Sequence, residues 1–326
     1  MGMEKYQMDM KKGEPFAGGN AEVTGSKNNS DWLRRVEGEA AESEGEPHII
    51  DIMLPAYGDN ALARETIGSV LAQDDPRWRL TVIDDGASTE LESWLADLGE
   101  PKVRYLGNDR RLGINRNFQR CVVEATADLV MLIGADDRLL PGFVRRVHAA
   151  AEQHPGAAFF HTGATVIDEH GRPVMPLADR VKRIVSISGG VVTGGERLAI
   201  SLLRGNWMYF PSVVFRRDVL RKHGFREGYD IVLDLDLYLR ILLDGGRVVL
   251  FGRPGIEYRR HAASLSSTTA GNGARFDEES DYFAEAAATM AAAGWPRAAR
   301  AARWHLTSRL HAAAKAIAAR KGAPPP

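Results

Sequence analysis

The segment Leu80-Thr81-Val82-Ile83-Asp84-Asp85-Gly86 predicts the fold, because a short apolar run stops at two carboxylates and a glycine. The segment Leu129–Asp137 has the same arrangement, with five apolar residues followed by Gly134-Ala135-Asp136-Asp137. Short apolar runs of this kind are typical of strands buried on both faces of a parallel sheet. Ligands bind at the carboxyl ends of strands in open α/β sheets. The two acidic clusters are therefore predicted to meet at one binding edge.

Strand and helix patterns alternate along the chain around these two segments. The predicted strands are 49–54, 80–83, 103–106, 129–133 and a long fifth strand, 157–167. The predicted helices between them are 60–73, 91–98, 114–125 and 141–153, the last with Pro141 in its first turn. Such alternation predicts βαβ units, and therefore an α/β fold with a mainly parallel sheet flanked by helices.

Composition excludes several classes of protein. The chain has 326 residues, and 42 Lys and Arg against 43 Asp and Glu give a net charge of −1, which argues against a mainly nucleic-acid-binding protein. Its single cysteine, Cys121, excludes an internal disulfide framework and a cysteine-cluster zinc site. No apolar run reaches the roughly 18–20 residues of a membrane span. We expect a cytoplasmic protein with no nucleic-acid partner.

The two ends of the chain differ from the middle. Residues 1–47 hold ten acidic and six basic residues with little apolar content, which predicts a mostly disordered leader with a short helix at 31–36. Residues 297–321 hold seven Arg and Lys and no acidic residue, and they predict a helix with an apolar stripe. This helix either packs on the main domain or a second subunit, or makes a weak peripheral contact with the inner face of an anionic membrane.

Several segments, taken in order, resemble the family 2 glycosyltransferases. Pro55-Ala56-Tyr57, Thr66–Gln73 and Val82–Ser88 are similar to the opening of that family, and the resemblance continues through Asn108–Asn117 and Leu132–Pro141. It covers roughly residues 48–268. It implies the GT-A fold, with a nucleotide-binding half (48–140), an acceptor-binding half (141–268) and a helical extension (269–326). It also implies transfer of a sugar from a nucleotide diphosphate donor with inversion at the anomeric carbon.

The resemblance also assigns donor-site residues. It implies that Pro55, Ala56 and Tyr57 line a nucleobase pocket. Asp84 or Asp85 would accept hydrogen bonds from the base or ribose, and Arg116 would lie near the donor. Asp136 would bind the metal and the nucleotide diphosphate, with Asp137 beside the donor sugar. In the segment Tyr258–Ser266, His261 would bind the metal or the diphosphate, with Arg259 or Arg260 close by. Carboxylate ligands on a diphosphate imply Mn²⁺ or Mg²⁺.

The acid–base and acceptor residues are expected in the second half of the chain. The segment Asp234–Arg240 resembles the family segment that carries the general base, which in register is Asp234. The competing interpretation makes Asp234 a helix N-cap. Asp236 is the second candidate for the general base and also a candidate acceptor contact. Trp207 and Tyr209 either line the acceptor pocket or belong to the core.

Two departures from the family pattern leave two functions open. Gly134 and Leu233 stand where many members have an acidic residue. The first function is transfer of a UDP or dTDP sugar to a saccharide, a lipid-linked acceptor or a small molecule. The second is a non-catalytic nucleotide-sugar-binding protein that acts as a regulatory or assembly partner.

Overall fold

A computed structural model of the protein describes residues 49–261 and 273–304. Its strands are β1 Ile50–Ala56, β2 Trp78–Asp84, β3 Val103–Gly107, β4 Leu129–Leu132, β5 Arg138–Leu139, β6 Ala157–His161, β7 Ala164–Ile167, β8 Val191–Gly194, β9 Val213–Arg216, β10 Arg247–Leu250 and β11 Ile256–Arg259. Its helices are α1 Ala61–Leu71, α2 Thr89–Asp97, α3 Ile114–Glu124, α4 Phe143–Gln153, α5 Leu177–Val185, α6 Gly195–Arg204, α7 Arg217–His223, α8 Leu233–Leu243, α9 Gly273–Ala292 and α10 Pro296–Arg303. The predicted leader, and the predicted helix beyond residue 304, lie outside the described residues.

Eight strands form the central sheet in the order β3-β2-β1-β4-β9-β6-β10-β8. β1 to β4 are parallel neighbours, and β6 is parallel to β10. β9 runs antiparallel to both β4 and β6, and β8 runs antiparallel to β10 at the edge. The predicted α/β fold with a mainly parallel sheet is confirmed.

Helices cover both faces of this sheet, because alternate strand residues point to opposite sides. Ile52 and Leu54 pack with α1, α2 and α4 on one face. Met53 packs on the other face, with α3 and α6 to α10. Full burial on both faces explains why β4 is a continuous apolar run.

The prediction of one long strand over 157–167 is wrong. The segment forms two strands, β6 in the central sheet and β7 in a second sheet of order β5-β11-β7. The chain bends at Gly163, whose φ of 72° is a left-handed conformation that suits glycine. Both halves are apolar because each joins a sheet, so the hydrophobic pattern does not reveal the break.

Two helix predictions are modified at their ends. The helix predicted to begin at Pro141 begins at Phe143, because Gly142 has a φ of 73° and interrupts the helical conformation. In the predicted helix 297–321, the described part is α10, which packs against α6 through buried Ala298 and Ala302. The backbone N–H of Arg297 also donates to the Glu196 carboxylate at 2.8 Å. This part of the helix therefore contacts the main domain. No helix within 49–261 or 273–304 is long and apolar enough to cross a bilayer.

Candidate active site

The carboxyl ends of four parallel strands meet at one edge of the central sheet. Ala56 at the end of β1 pairs with Asp84 at the end of β2, and Asp84 pairs with Gly107 at the end of β3. The backbone N–H of Ile133, which follows β4, donates to Met53 of β1 at 2.9 Å. The two acidic clusters predicted from the sequence therefore follow β2 and β4, the strands on either side of β1, at the same edge.

Asp84 organises the loops at this edge. Its fully buried carboxylate accepts backbone N–H groups from Gly58 and Gly86 at 2.8 Å on Oδ1. Its Oδ2 accepts the Ser88 N–H at 2.7 Å and the Tyr105 hydroxyl at 3.1 Å. A carboxylate has about four acceptor positions, so Asp84 is fully occupied by the protein itself. The contacts therefore argue against the prediction that Asp84 accepts hydrogen bonds from a base or ribose.

Asp85 links β2 to the start of α3. Its Oδ1 accepts from the Asn108 side chain and from the Leu112 backbone N–H, both at 2.6 Å. Its Oδ2 accepts the Gly113 N–H at 2.9 Å, and the φ of 81° at Gly113 turns the chain into the helix. Among the described contacts Oδ2 keeps one free acceptor position, so of the two carboxylates Asp85 is the one that can still accept a ligand's donor.

The predicted base-pocket residues lie beside this loop. Pro55 and Ala56 close β1, and Tyr57 after them is 57% exposed. The Arg111 guanidinium lies 4.7 Å from the centroid of the Tyr57 ring, a cation–π distance. Arg116 is an exposed side chain on α3 whose guanidinium faces Glu227 at 3.8 Å. Arg111, which the sequence reasoning missed, is therefore the arginine that contacts the predicted base pocket.

Asp136 and His261 meet at the carboxyl end of β4. His261 Nε2 lies 2.9 Å from Asp136 Oδ2, although 125 residues separate them in the sequence. Asp137 is 1% exposed and accepts the Arg259 backbone N–H on Oδ1 at 2.9 Å. Burial, together with the nearby Asp136 charge, raises the pKa of the Asp137 carboxyl well above its usual value. Burial on this scale argues against the predicted contact of Asp137 with a donor sugar.

The absence of a side chain at Gly134 leaves room for the carboxylates of Asp136 and Asp137. A Cβ at Gly134 would lie 2.6 Å from Asp137 Oδ2 and 2.8 Å from Asp136 Oδ1, so any side chain there would force these carboxylates to shift. The two carboxylate oxygens therefore converge on the position where many family members carry an acidic side chain. The departure from the family pattern has a steric consequence, because no acidic side chain fits at residue 134 while Asp136 and Asp137 hold these positions.

Asp136, Asp137 and His261, which we call the acidic edge, fit a divalent cation that takes part of its coordination from a ligand. Asp137 Oδ2 is buried and has no hydrogen-bond partner among the described residues, which is the situation that a bound cation would satisfy. Carboxylate oxygens are suitable ligands for both Mg²⁺ and Mn²⁺, and an imidazole nitrogen is a better ligand for Mn²⁺ than for Mg²⁺. Within residues 49–261 and 273–304, no group of three or more His, Cys, Asp or Glu is arranged to hold a metal. Oxygens from a diphosphate would have to complete the shell.

Arg259 links this edge to the second sheet. It is 2% exposed, and its Nε donates to the Asp136 carbonyl at 2.8 Å. Its Nη2 donates to Glu65 of α1 at 2.7 Å, and the other Glu65 oxygen pairs with Arg138 at 2.6 Å. The described contacts of the Arg259 side chain are all with the protein, so Arg259 holds the chain segment that carries Asp136 and Asp137. That Arg259 or Arg260 lies close to a diphosphate stays a prediction.

The predicted general base lies in the first turn of α8. The Asn206 side chain donates to both oxygens of Asp234 at 3.0 Å, and the Leu235 N–H donates to Oδ1 at 2.7 Å. Burial raises the pKa of Asp234, while the Asn206 hydrogen bond and the Lys182 charge lower it. The N-cap interpretation is wrong, because Val232 precedes the helix and Leu233 is its first residue.

Three further predicted residues have structural contacts. Asp236 is buried and paired with Arg226 at 3.2 Å and Arg240 at 2.8 Å, which argues against it as a base or acceptor contact. Trp207 is 5% exposed and donates to Ser201 at 2.9 Å, so of its two interpretations the core is correct. Tyr209 is partly buried, and the cluster around it is described next.

A cluster that the sequence reasoning missed connects the two ends of the site. Asp179 of α5 is buried and accepts on Oδ1 the Tyr209 hydroxyl at 2.5 Å and the Arg260 guanidinium at 2.9 Å. The Lys182 ammonium lies 4.8 Å from the centroid of the Tyr209 ring. Arg260 directly precedes His261, and the Lys182 charge acts on Asp234, so this cluster lies between the acidic edge and the predicted base. Its partners come from distant segments, and no local pattern links them.

Comparisons with known proteins agree with this geometry. Residues 51–190 match the family described as Glycosyl transferase family 2. This matched segment covers less than half of the chain. It begins in β1 and includes Asp84, Asp85 and Asp136, whereas Asp234 and His261 lie beyond it. The uncharacterized protein MT1568 of Mycobacterium tuberculosis (strain CDC 1551 / Oshkosh) is 28% identical over 231 residues, which cover 68% of this chain and 69% of that protein.

Two solved structures that share this fold contain a bound nucleotide sugar. The structure of S. aureus TarS 1-349 in complex with UDP-GlcNAc superposes with a TM-score of 0.55 at 15% identity, covering 73% of this chain and 66% of that one, just under two thirds of its length. The mannosyltransferase PcManGT from Pyrobaculum calidifontis, in complex with GDP-Man and Mn2+, gives a TM-score of 0.55 at 16% identity over 88% and 86% of the two chains. The fold is GT-A, and the family match supports a sugar-transfer activity.

Proposed function

We propose that this protein is an inverting glycosyltransferase that moves a sugar from a UDP or dTDP donor to an acceptor hydroxyl. The observation that carries the proposal is the meeting of Asp136 with His261 at 2.9 Å, at the edge of the sheet where ligands of α/β proteins bind. A carboxylate and an imidazole that could both bind a metal, beside the unpartnered oxygen of Asp137, suit the divalent cation that accompanies the diphosphate of a nucleotide sugar.

The residues divide the chemistry between two parts of the site. Asp136 and His261 would hold Mn²⁺ or Mg²⁺, and that ion would stabilise negative charge on the departing diphosphate. Tyr57 and the free acceptor position of Asp85 would contact the nucleoside. Asp234 would remove the proton of the acceptor hydroxyl as the oxygen attacks the anomeric carbon. A raised pKa suits that role, because it brings a carboxylate closer to the basicity of a working general base.

Calorimetric titration of UDP, dTDP and GDP, with Mn²⁺ and with EDTA, tests the proposal. We expect metal-dependent binding of UDP or dTDP, and loss of that dependence in Asp136→Ala. The matched control is Asp218→Ala, which removes an exposed carboxylate of α7 whose described hydrogen bond goes to the neighbouring Val219 N–H. Absence of binding for every nucleotide under both conditions would refute the donor assignment. Identical affinities for the wild type and Asp136→Ala would refute the metal role of Asp136.

A further inference from the structure

Helix α5 presents an apolar surface to the outside of the protein. Six large hydrophobic side chains are exposed among the described residues, and four of them lie within 17 residues of sequence: Met175 (44%), Leu177 (76%), Ile184 (83%) and Val191 (42%). A single exposed hydrophobic residue needs no explanation, but a cluster marks an interaction surface. Leu177 and Ile184 lie on α5, whereas Met175 precedes the helix and Val191 begins β8. We call the exposed pair on α5, Leu177 and Ile184, the α5 surface.

The helical period places the apolar residues on one face. Leu177 and Ile184 are seven residues apart, and Arg180 is three residues after Leu177, so all three lie on the same side of α5. The opposite side carries Asp179, which is buried with Tyr209 and Arg260. The helix therefore buries the Asp179 carboxylate together with Val185, which packs on the core, and it leaves Leu177 and Ile184 exposed.

The exposed charges of α5 itself are positive. From His170 to Val191 the chain has four Lys and Arg and one acidic residue, and that residue is the buried Asp179. Arg180 and Arg183 are exposed. Exposed apolar side chains with basic residues at their margin match the interface of a bilayer with anionic headgroups.

We infer that α5 docks the protein on an anionic membrane surface. The apolar side chains enter the boundary between headgroups and acyl chains, and Arg180 and Arg183 contact the lipid phosphates. Because the inner side of α5 carries Asp179 and Lys182, docking brings the membrane next to the cluster between Asp234 and the acidic edge. The inference rests on the proposed function in one respect, since it identifies the acceptor class as a lipid-linked one. It differs from the membrane contact predicted for residues 297–321.

Co-sedimentation of the full chain with vesicles tests the inference. One set of vesicles is phosphatidylcholine alone, and the other is phosphatidylcholine with phosphatidylglycerol. We expect binding to the second set that weakens as salt rises, because exposed charges are screened. Leu177→Ser with Ile184→Ser should lower the affinity about tenfold or more, since burying each side chain contributes to binding. Arg180→Ser with Arg183→Ser should weaken binding only to the anionic vesicles.

The control variant is Arg104→Ser in β3, at the opposite edge of the central sheet from β8. Its guanidinium is exposed and paired with Glu124 at 3.3 Å, and its loss should leave vesicle binding unchanged. No binding of the wild type to either vesicle set would overturn the inference, as would full binding by the double serine variant of Leu177 and Ile184. Sedimentation that shows a dimer dispersed by that variant would also overturn it, because the α5 surface would then join two copies of the chain.

Nucleotide titration of the same preparations separates this inference from the proposed function. The Leu177 and Ile184 substitutions lie outside the donor site, so nucleotide affinity should match that of the wild type. Loss of vesicle binding with unchanged nucleotide binding supports α5 as the membrane contact. Vesicle binding without nucleotide binding in the wild type would refute the proposed function and the lipid-linked acceptor, while the membrane contact itself would stand.

Discussion

Replacement of Gly134 by alanine tests the packing of the acidic edge. The added methyl group would lie 2.6 Å from Asp137 Oδ2 and 2.8 Å from Asp136 Oδ1, about 1 Å inside ordinary contact. Neither carboxylate is free to turn away. Asp137 accepts the Arg259 N–H on its other oxygen, and Asp136 is paired with His261. Relief of the overlap therefore breaks at least one of these two contacts.

The expected cost follows from these contacts. Overpacking a close-packed site costs about 1–3 kcal/mol, and a buried hydrogen bond to a charged group contributes about 1.5–3 kcal/mol. We expect Gly134→Ala to lower the free energy of unfolding by about 2 kcal/mol. It should also weaken metal-dependent nucleotide binding, because the carboxylates move apart. Gly134→Asp, which introduces the acid found in many family members, should be worse than alanine rather than restorative.

Urea denaturation followed by circular dichroism measures the effect, with Gly68→Ala as the control. Gly68 lies within α1, and a Cβ there would have no heavy atom within 4 Å. Alanine at that position should be neutral or raise the stability by up to about 1 kcal/mol, because glycine is a poor helix former. The reasoning fails if Gly134→Ala unfolds at the wild-type urea concentration, or if Gly134→Asp binds nucleotide more tightly than the wild type.

Three further predictions concern buried polar contacts. Asp234→Asn should abolish transfer and leave nucleotide binding intact, and equal loss of both would make Asp234 structural. Because the folded-state pKa of Asp234 is raised, its carboxyl stabilises the fold at pH values below the unfolded-state pKa, and this contribution is lost as the pH rises through the folded-state pKa. In Asp234→Asn the free energy of unfolding should therefore fall less over this pH range. Asn206→Ala removes a hydrogen bond that lowers the pKa of Asp234, so the acid limb of the pH–rate profile should move to higher pH; an unmoved limb would contradict its positioning role. Asp84→Ala leaves three backbone N–H groups without their acceptor and should cost about 2–4 kcal/mol in urea denaturation, against about 1 kcal/mol for Tyr105→Phe; equal costs would contradict the loop role of Asp84.

The amino-acid sequence by itself was sufficient for the first half of the fold. β4 is buried on both faces and β1 is buried along nearly all of its length, so each appears as a mainly apolar run, and the helices between the strands carry their own periodicity. The positions of Asp84, Asp85 and Asp136 at strand ends follow from the same pattern, since each of these carboxylates comes where an apolar run stops. Resemblance to a family added His261, which no local pattern marks as a ligand.

Only the tertiary structure decided what most of these side chains contact. Asp84 is occupied by loop N–H groups and Arg259 by Glu65, which lies 194 residues away in the sequence. The bend at Gly163 and the Asp179 cluster likewise depend on which segments the fold brings together. Periodicity reports whether a residue is buried, whereas a hydrogen bond or an ion pair needs a partner at a defined distance. For residues a hundred or more positions apart, only the folded chain sets that distance.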